Sequence, residues 1–308
     1  MKIVFLDAAT MVDSSLEPIA ALGELVTYDN STREEAYERV KDCEVLIINK
    51  IKVDEDLFSH APSLKLVCEA ATGVNNIDLD AAERRGIPVR NVAGYSTASV
   101  AQMTWMHILS LAGKSRYYDG FVKDGTYSAS GFFTDTKVSY PELAGKTIGI
   151  VGMGTIGSRV ARIAKEFGMN VCYYSTSGTN HCTEYPSLGI DELLAVSDVV
   201  SINAPYNERT AGLIGYENLK KMKKSAIIVN LGRGGIVVED ALARAIDEGL
   251  IAGAGLDVFV KEPLPADHPL LHTRHPERLS FTPHVGWSSD EARDRLIEGI
   301  AQNIAKGW

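Results

Sequence analysis

Cysteine is scarce in this chain, four in 308 residues, and none of Cys43, Cys68, Cys172 and Cys182 belongs to a CxxC pair. That spacing argues against a zinc ribbon or a disulfide framework and reads as reduced thiols in a cytoplasmic protein. Cys182 follows His181, but no second pair of metal ligands accompanies it, so no metal site is expected. Long apolar runs are lacking too: none approaches the roughly 18 residues needed to span a bilayer. The opening Met1-Lys2-Ile3-Val4-Phe5-Leu6-Asp7 is charged too soon for a signal peptide. Nor is there an excess of positive charge. Lys and Arg number 31 against 40 Asp and Glu, a formal net charge of −9, which argues against general binding to nucleic acid or anionic membranes.

What is present is the composition of a globular protein, 45% hydrophobic and 23% charged, with length for two cores. Short Ile/Val/Leu-rich runs at residues 2–6, 45–48 and 66–68 read as buried strands, with helices at 34–41, 54–60 and 78–85. One long helix is expected from 99 to 122, with Ser96 or Thr97 as its N-cap, followed by a polar and aromatic excursion over 125–141. A second series then begins: strands at 147–151, 170–174, 199–202, 226–230, 252–258 and 279–281, a helix at 156–167 and a last helix at 289–304. Strand–helix alternation implies parallel sheets covered on both faces, hence an α/β fold with two doubly wound domains, near 1–98 and 99–283.

Gly152-Met153-Gly154-Thr155-Ile156-Gly157 is a GxGxxG placed directly after a strand and before an amphipathic helix. In that context it reads as a dinucleotide fingerprint: Gly152 for the tight turn, Gly154 for close approach to a pyrophosphate, Gly157 for helix–strand packing. The acid usually found at the end of the next strand to bind a ribose is missing; Tyr174-Ser175-Thr176-Ser177-Gly178 stands there, without Arg or Lys. With no cation nearby to neutralise a 2′-phosphate, Ser175 suggests a slight preference for NAD(H), with NADP(H) also accepted.

Three titratable residues follow strands of the second series: Arg233, Glu262 and His284. Residues just past the carboxyl ends of parallel strands face the ligand crevice of open α/β sheets. Reduction of a 2-keto acid needs a guanidinium fork for the carboxylate, a histidine to protonate the carbonyl oxygen and a carboxylate to hold that histidine, and these three fit. Of the other histidines, His268, His272 and His275 read as solvated, His107 as packed in a helix, and His60 and His181 as loop or helix-end residues.

The chain resembles the D-isomer-specific 2-hydroxyacid dehydrogenases along nearly its whole length. The likeness is carried by Ala71-Thr72-Gly73-Val74-Asn75-Asn76-Ile77-Asp78, Gly94-Tyr95-Ser96-Thr97 with Ser99-Val100-Ala101, Glu142-Leu143-Ala144-Gly145-Lys146-Thr147, Asn230-Leu231-Gly232-Arg233-Gly234-Gly235, Gly255-Leu256-Asp257-Val258-Phe259 with Glu262-Pro263, and Thr282-Pro283-His284. The resemblance implies Arg233, Glu262 and His284 as the catalytic set. It also implies a flavodoxin-like substrate domain of residues 1–98 plus 284–308, a Rossmann domain at 99–283 and a homodimer built on the region 99–140. Thr72, Gly73, Val74, Arg233 and Trp287 would contact substrate. Thr104, Gly152, Gly154, Thr155, Ile156, Gly157, Ser175, Pro205, Thr210, Leu231, Asp257, His284 and Gly286 would contact coenzyme. Trp287 and Gln102 are similar to the glycerate dehydrogenase/hydroxypyruvate reductase branch, although Trp287 also suits plain packing. The alternatives are a lactate-type or branched 2-keto acid reductase and, from another class, a nucleotide-sensing binding protein such as the corepressor relatives of this family.

Overall fold

The computed structural model describes residues 1–180 and 182–308, so the expectation for His181 lies outside the described residues. The chain divides into two compact units, Met1–Ser96 with Trp287–Trp308, and Thr97–Gly286.

The first unit opens with β1 (Lys2–Phe5), α1 (Glu17–Ala20), β2 (Glu24–Thr27), α2 (Arg33–Arg39), β3 (Val45–Ile48), α3 (Glu55–Ser59), β4 (Leu66–Glu69), α4 (Leu79–Arg84) and β5 (Val89–Arg90). Its sheet is wholly parallel in the order β2-β1-β3-β4-β5, the flavodoxin-like arrangement. β3 and β4 are buried throughout, which is why β3 and residues 66–68 of β4 read as continuous apolar runs; β4 closes on the buried Glu69. Helices start where side chains satisfy the first free N–H groups: Thr32 and Glu35 form a reciprocal capping box, Asp54 accepts from Leu57 and Asp78 from Ala81.

The second unit runs through α5 (Thr97–Ala112), α6 (Ser115–Lys123), α7 (Thr126–Ser130), β6 (Thr147–Val151), α8 (Thr155–Glu166), β7 (Asn170–Tyr174), α9 (Ile190–Val196), β8 (Val199–Ile202), α10 (Tyr216–Leu219), β9 (Ile227–Asn230), α11 (Glu239–Asp247), β10 (Gly253–Leu256) and β11 (Leu279–Phe281). These strands are parallel in the order β11-β10-β9-β8-β6-β7. Beyond β7 a single parallel bridge from Tyr173 to Ser187 stands where a further edge strand would complete the Rossmann order. The chain ends in α12 (Asp290–Ala305), capped by Ser289, whose Leu296, Ile297 and Ile300 pack into the first unit's core with Ile3, Phe5 and Cys68.

The single helix expected from 99 to 122 is two. Lys114 adopts φ +52 between α5 and α6, a left-handed turn that no helix continues through. The four cysteines are free thiols; burial pushes Cys43 and Cys68 up to about 12, so they are inert. Among the described residues, no helix is long and apolar enough to cross a membrane.

Candidate active site

Both halves of the site in the second unit lie at the carboxyl ends of its strands. In the first half β6 turns sharply into α8. Gly152 sits at φ +91 with Ala204 so near that a Cβ would come within 3.0 Å of its backbone. Gly157 lies against the Gly152 carbonyl, 2.3 Å from where a Cβ would stand, so only glycine lets helix and strand approach this closely. Among the described residues, a Cβ on Gly154 would meet nothing within 4 Å. Gly154 begins α8 without a side chain to cap it, and Thr155 is exposed and Ile156 half-exposed. The leading N–H groups of this helix therefore face open space, the arrangement a pyrophosphate needs.

A cleft of about 550 Å³ continues from this turn, between Ser175 and Thr176 after β7 and Asn203, Pro205 and Arg209 after β8. Strand order explains the convergence: β7 and β8 flank β6, so the chain reverses direction across the sheet at this point. The Ser175 hydroxyl accepts from the Asn180 N–H at 3.2 Å, and the Arg209 guanidinium donates to the Ser177 carbonyl. Arg209 corrects the expectation that no cation stands near the ribose end. It comes from a loop distant in sequence, and the signal that could have found it is an arginine soon after the strand next to β6. The residues present suit a dinucleotide: open helix donors for phosphates, a polar turn for a ribose and a cation beside it.

Two residues expected at the coenzyme carry hydrogen bonds within the protein. Thr104 is fully buried and its hydroxyl donates to the Val100 carbonyl at 2.8 Å, closing a bond within α5. Thr210 is also fully buried; its hydroxyl donates to the Pro205 carbonyl at 2.7 Å and accepts from the Asn207 N–H at 2.9 Å, shaping the loop that carries Arg209.

The second half is built on β9, β10 and β11, whose register pairs Asn230 with Leu256 and Leu256 with Phe281. Arg233, Asp257 and His284 therefore leave three adjacent strands at one edge. Asn230, 2% exposed, brackets the first turn, accepting from the Gly232 N–H at 3.0 Å and donating to the Arg233 carbonyl at 2.9 Å. His284 Nδ1 lies 2.7 Å from Glu262 Oε2, with the side chains 23% and 32% exposed. That bond places the Nδ1 proton toward the carboxylate and leaves Nε2 as the atom that exchanges a proton. Glu262 is held in turn by the Phe259 N–H at 3.0 Å, and the neighbouring Val260 N–H donates to Glu239 at 2.8 Å. His268, expected to be solvated, has only 13% of its side chain exposed and bonds Glu239 at 3.0 Å. The loop folds back on α11, which the polar sequence around His268 did not reveal.

Asp257 is buried at 2% exposure and accepts from the Val285 and Gly286 N–H groups at 2.9 and 2.8 Å and from the Thr282 hydroxyl at 2.6 Å. Burial raises its pKa, against the pull of these donors. Leu231 is buried beside Gly286, where a Cβ would lie 3.2 Å from its Cδ2. In the first unit, Thr72 follows β4 with its hydroxyl on the Val92 carbonyl at 3.2 Å, Gly73 and Val74 are half-exposed, and Trp287 packs on the core edge-to-face with Tyr95 at 6.4 Å.

Residues 105–286 match the family described as D-isomer specific 2-hydroxyacid dehydrogenase, NAD binding domain. The chain is 34% identical to a hydroxypyruvate reductase of Blautia hydrogenotrophica, over 99% of this chain and 96% of that protein. It is 39% identical to a glyoxylate reductase of Korarchaeum cryptofilum, over 87% of this chain and 80% of that protein. Among solved structures it is similar to the D-lactate dehydrogenase of Aquifex aeolicus complexed with NAD and lactic acid, with a TM-score of 0.86 and 29% identity over 99% of this chain and 94% of that one.

Proposed function

The chain belongs to the D-isomer-specific 2-hydroxyacid dehydrogenase family, and from that premise we propose that it interconverts a small 2-keto acid and its D-2-hydroxy acid, with hydroxypyruvate or glyoxylate as the preferred keto acid. The observation that carries this reading is the His284–Glu262 pair at 2.7 Å, set at the strand edge that also bears Arg233. A bound nicotinamide supplies the hydride. Arg233 offers two parallel N–H bonds to the substrate carboxylate and fixes which face of the carbonyl is presented. His284 Nε2 delivers the proton to the carbonyl oxygen, and Glu262 orients the ring and balances its charge. The names of the two reductase relatives support the small, hydroxylated or unsubstituted keto acids over larger ones.

The test is a panel of 2-keto acids followed by loss of reduced-coenzyme absorbance. Turnover of hydroxypyruvate or glyoxylate is expected. Coenzyme binding without turnover of any keto acid would favour a nucleotide-sensing protein. His284→Ala should lower kcat at least about 100-fold, the ordinary worth of positioned proton transfer, while coenzyme binding survives.

For the coenzyme, Arg209 removes the ground for a lean toward NAD(H). With a guanidinium at the Ser175–Ser177 turn, a 2′-phosphate gains a charge-assisted partner beside hydroxyl donors. The reading is that NADP(H) serves at least as well as NAD(H). Arg209→Glu should lower kcat/KM for NADPH by about tenfold or more, a single charged contact, and leave NADH within about twofold. Equal effects on both coenzymes would remove Arg209 from the choice.

The reading includes a homodimer. Phe132, Phe133 and Tyr140 are 73%, 89% and 61% exposed, and such an aromatic arm calls for a covering surface. A monomer mass by light scattering at micromolar concentration would contradict it. The free, mostly buried thiols support a reducing compartment such as the cytoplasm.

A further inference from the structure

We propose that His107, on α5, is a positioning residue for His284, acting through a hydrogen-bonded chain that runs by way of Thr282 and Asp257. The inference rests on the reading of His284 as the acid/base.

His107 has no exposed surface. Its Nδ1 lies 2.8 Å from Ser280 Oγ and its Nε2 lies 3.0 Å from Thr282 Oγ1. With the Asp257 carboxylate ionised, as its three donors favour, counting protons fixes the directions. Both oxygens of the Asp257 carboxylate already accept main-chain N–H bonds, from Val285 and Gly286, and Oδ1 takes the Thr282 hydroxyl proton as well. The Thr282 oxygen must then accept, so His107 carries its proton on Nε2. Nδ1 is left as an acceptor, and Ser280 donates to it. A single neutral tautomer satisfies every member of the chain. Burial favours the neutral ring, pushing its pKa down to about 4.

The far end of this chain is the segment that holds the catalytic histidine. The His284 N–H donates to the Asp257 carbonyl at 2.8 Å, and the next two N–H groups go to the Asp257 carboxylate. Three successive donors thus converge on one residue. They are needed because His284 sits at φ +54, where a side chain is disfavoured and a free segment would relax. The hydroxyl of Thr282 gives that carboxylate its third donor, and His107 sets which way the hydroxyl points. Room for the imidazole is made by Gly255 of β10, where a Cβ would come within 2.8 Å of the His107 Cβ. An apolar side chain would fill this interior more simply; a fully satisfied polar chain specifies one orientation.

The test uses His107→Leu, His107→Gln and Thr282→Val in the full-length enzyme, with whichever 2-keto acid turns over. His107→Leu should lower kcat about tenfold and raise the primary isotope effect from deuterated reduced coenzyme, with coenzyme Kd changed less than about twofold. His107→Gln, which can present an N–H near the Nε2 position, should restore kcat to within about threefold of wild type. In a Thr282→Val background the His107→Leu change should add nothing, because the chain is already cut. Independently of activity, 15N spectra of histidine-labelled apo-protein should show His107 as the neutral Nε2–H tautomer down to pH 5. Wild-type kcat and isotope effect in His107→Leu, multiplicative losses in the double variant, or an Nδ1–H or doubly protonated His107 at pH 5 would each overturn the proposal. Should His107→Leu fail to fold, Thr282→Val and the spectra still decide it. Full turnover in His284→Ala would instead overturn the acid/base reading itself, and the tautomer result would stand apart from that.

Discussion

At the end of β1 the Asp7 carboxylate gathers the N–H groups of Asn49, Lys50 and Ile51, at 2.6 to 3.2 Å, while the Asn49 amide donates to the Ala70 carbonyl at 2.7 Å. At the equivalent end of β6 the chain turns through Gly152 and opens α8 at Gly154 with no side chain over its first donors. Both units are parallel sheets wrapped in helices, so topology alone does not decide which one takes a dinucleotide. The difference lies in who satisfies the free main-chain donors. In the first unit the protein does so itself at four places, with Asp7 at the end of β1 and Thr32, Asp54 and Asp78 at the starts of α2, α3 and α4. In the second, at α8, the donors are left for a ligand.

The largest expected effect comes from erasing that difference. Gly154→Asp would give α8 the kind of cap that α3 and α4 already have. Its φ of −88 suits an N-cap, so the fold should hold or gain about 1 kcal/mol. Coenzyme affinity should fall by about 100-fold or more, roughly 2.7 kcal/mol, because a carboxylate now competes for the donors and repels the pyrophosphate. Fluorescence titration with reduced coenzyme, beside a melting curve, checks both halves; unchanged affinity would mean that the α8 donors do not carry the phosphates.

The converse change unseals the first unit. Asp7→Ala leaves three N–H groups without their acceptor and should cost about 1–3 kcal/mol of stability by urea unfolding. Coenzyme Kd should stay put. A shift in Kd as large as the loss of stability would show that the contrast between the units is not local.

A smaller effect sharpens the same comparison. Glu69, fully buried at the end of β4, is raised to about 9 by burial, with the Asp7 charge adding to the rise. The folded protein therefore holds a proton there that the unfolded chain releases near 4.5. The stability this lends is complete below the ordinary carboxyl range and is lost as pH climbs through about 9. Glu69→Gln, which cannot ionise, should melt close to wild type at pH 5 and increasingly above it toward pH 9. A melting difference that stays constant with pH would mean Glu69 is ionised in the folded state.

Much of this contrast was legible in the sequence. β3 is apolar throughout and β4, β6 and β8 are apolar but for Glu69, Thr147 and Ser201, and GxGxxG between a strand and a helix marks the open end. The pair Glu262–His284 could be anticipated because both residues follow buried strands. The helices α9, α10 and α11 were not anticipated, and other features escaped because their reason is tertiary. β2 is half-exposed, and β5 is a two-residue edge, so neither shows a buried run. The break at Lys114 lies in a sequence that reads helical on both sides. Arg209 and the His268–Glu239 pair depend on which loops the strand order brings together.

The crowding of Gly255 against His107 has a consequence for how such a sequence can change over time. A methyl group at 255 would collide with the imidazole's own β-carbon, a contact that no rotamer change relieves. Every residue but glycine keeps that β-carbon, so position 255 is free to vary only after 107 has itself become glycine, which takes one partner from each of the Ser280 and Thr282 hydroxyls. A lineage crossing that path passes through an intermediate in which the buried Ser280 hydroxyl and the half-buried Thr282 hydroxyl are each short of one partner, and one that keeps the histidine keeps the glycine with it.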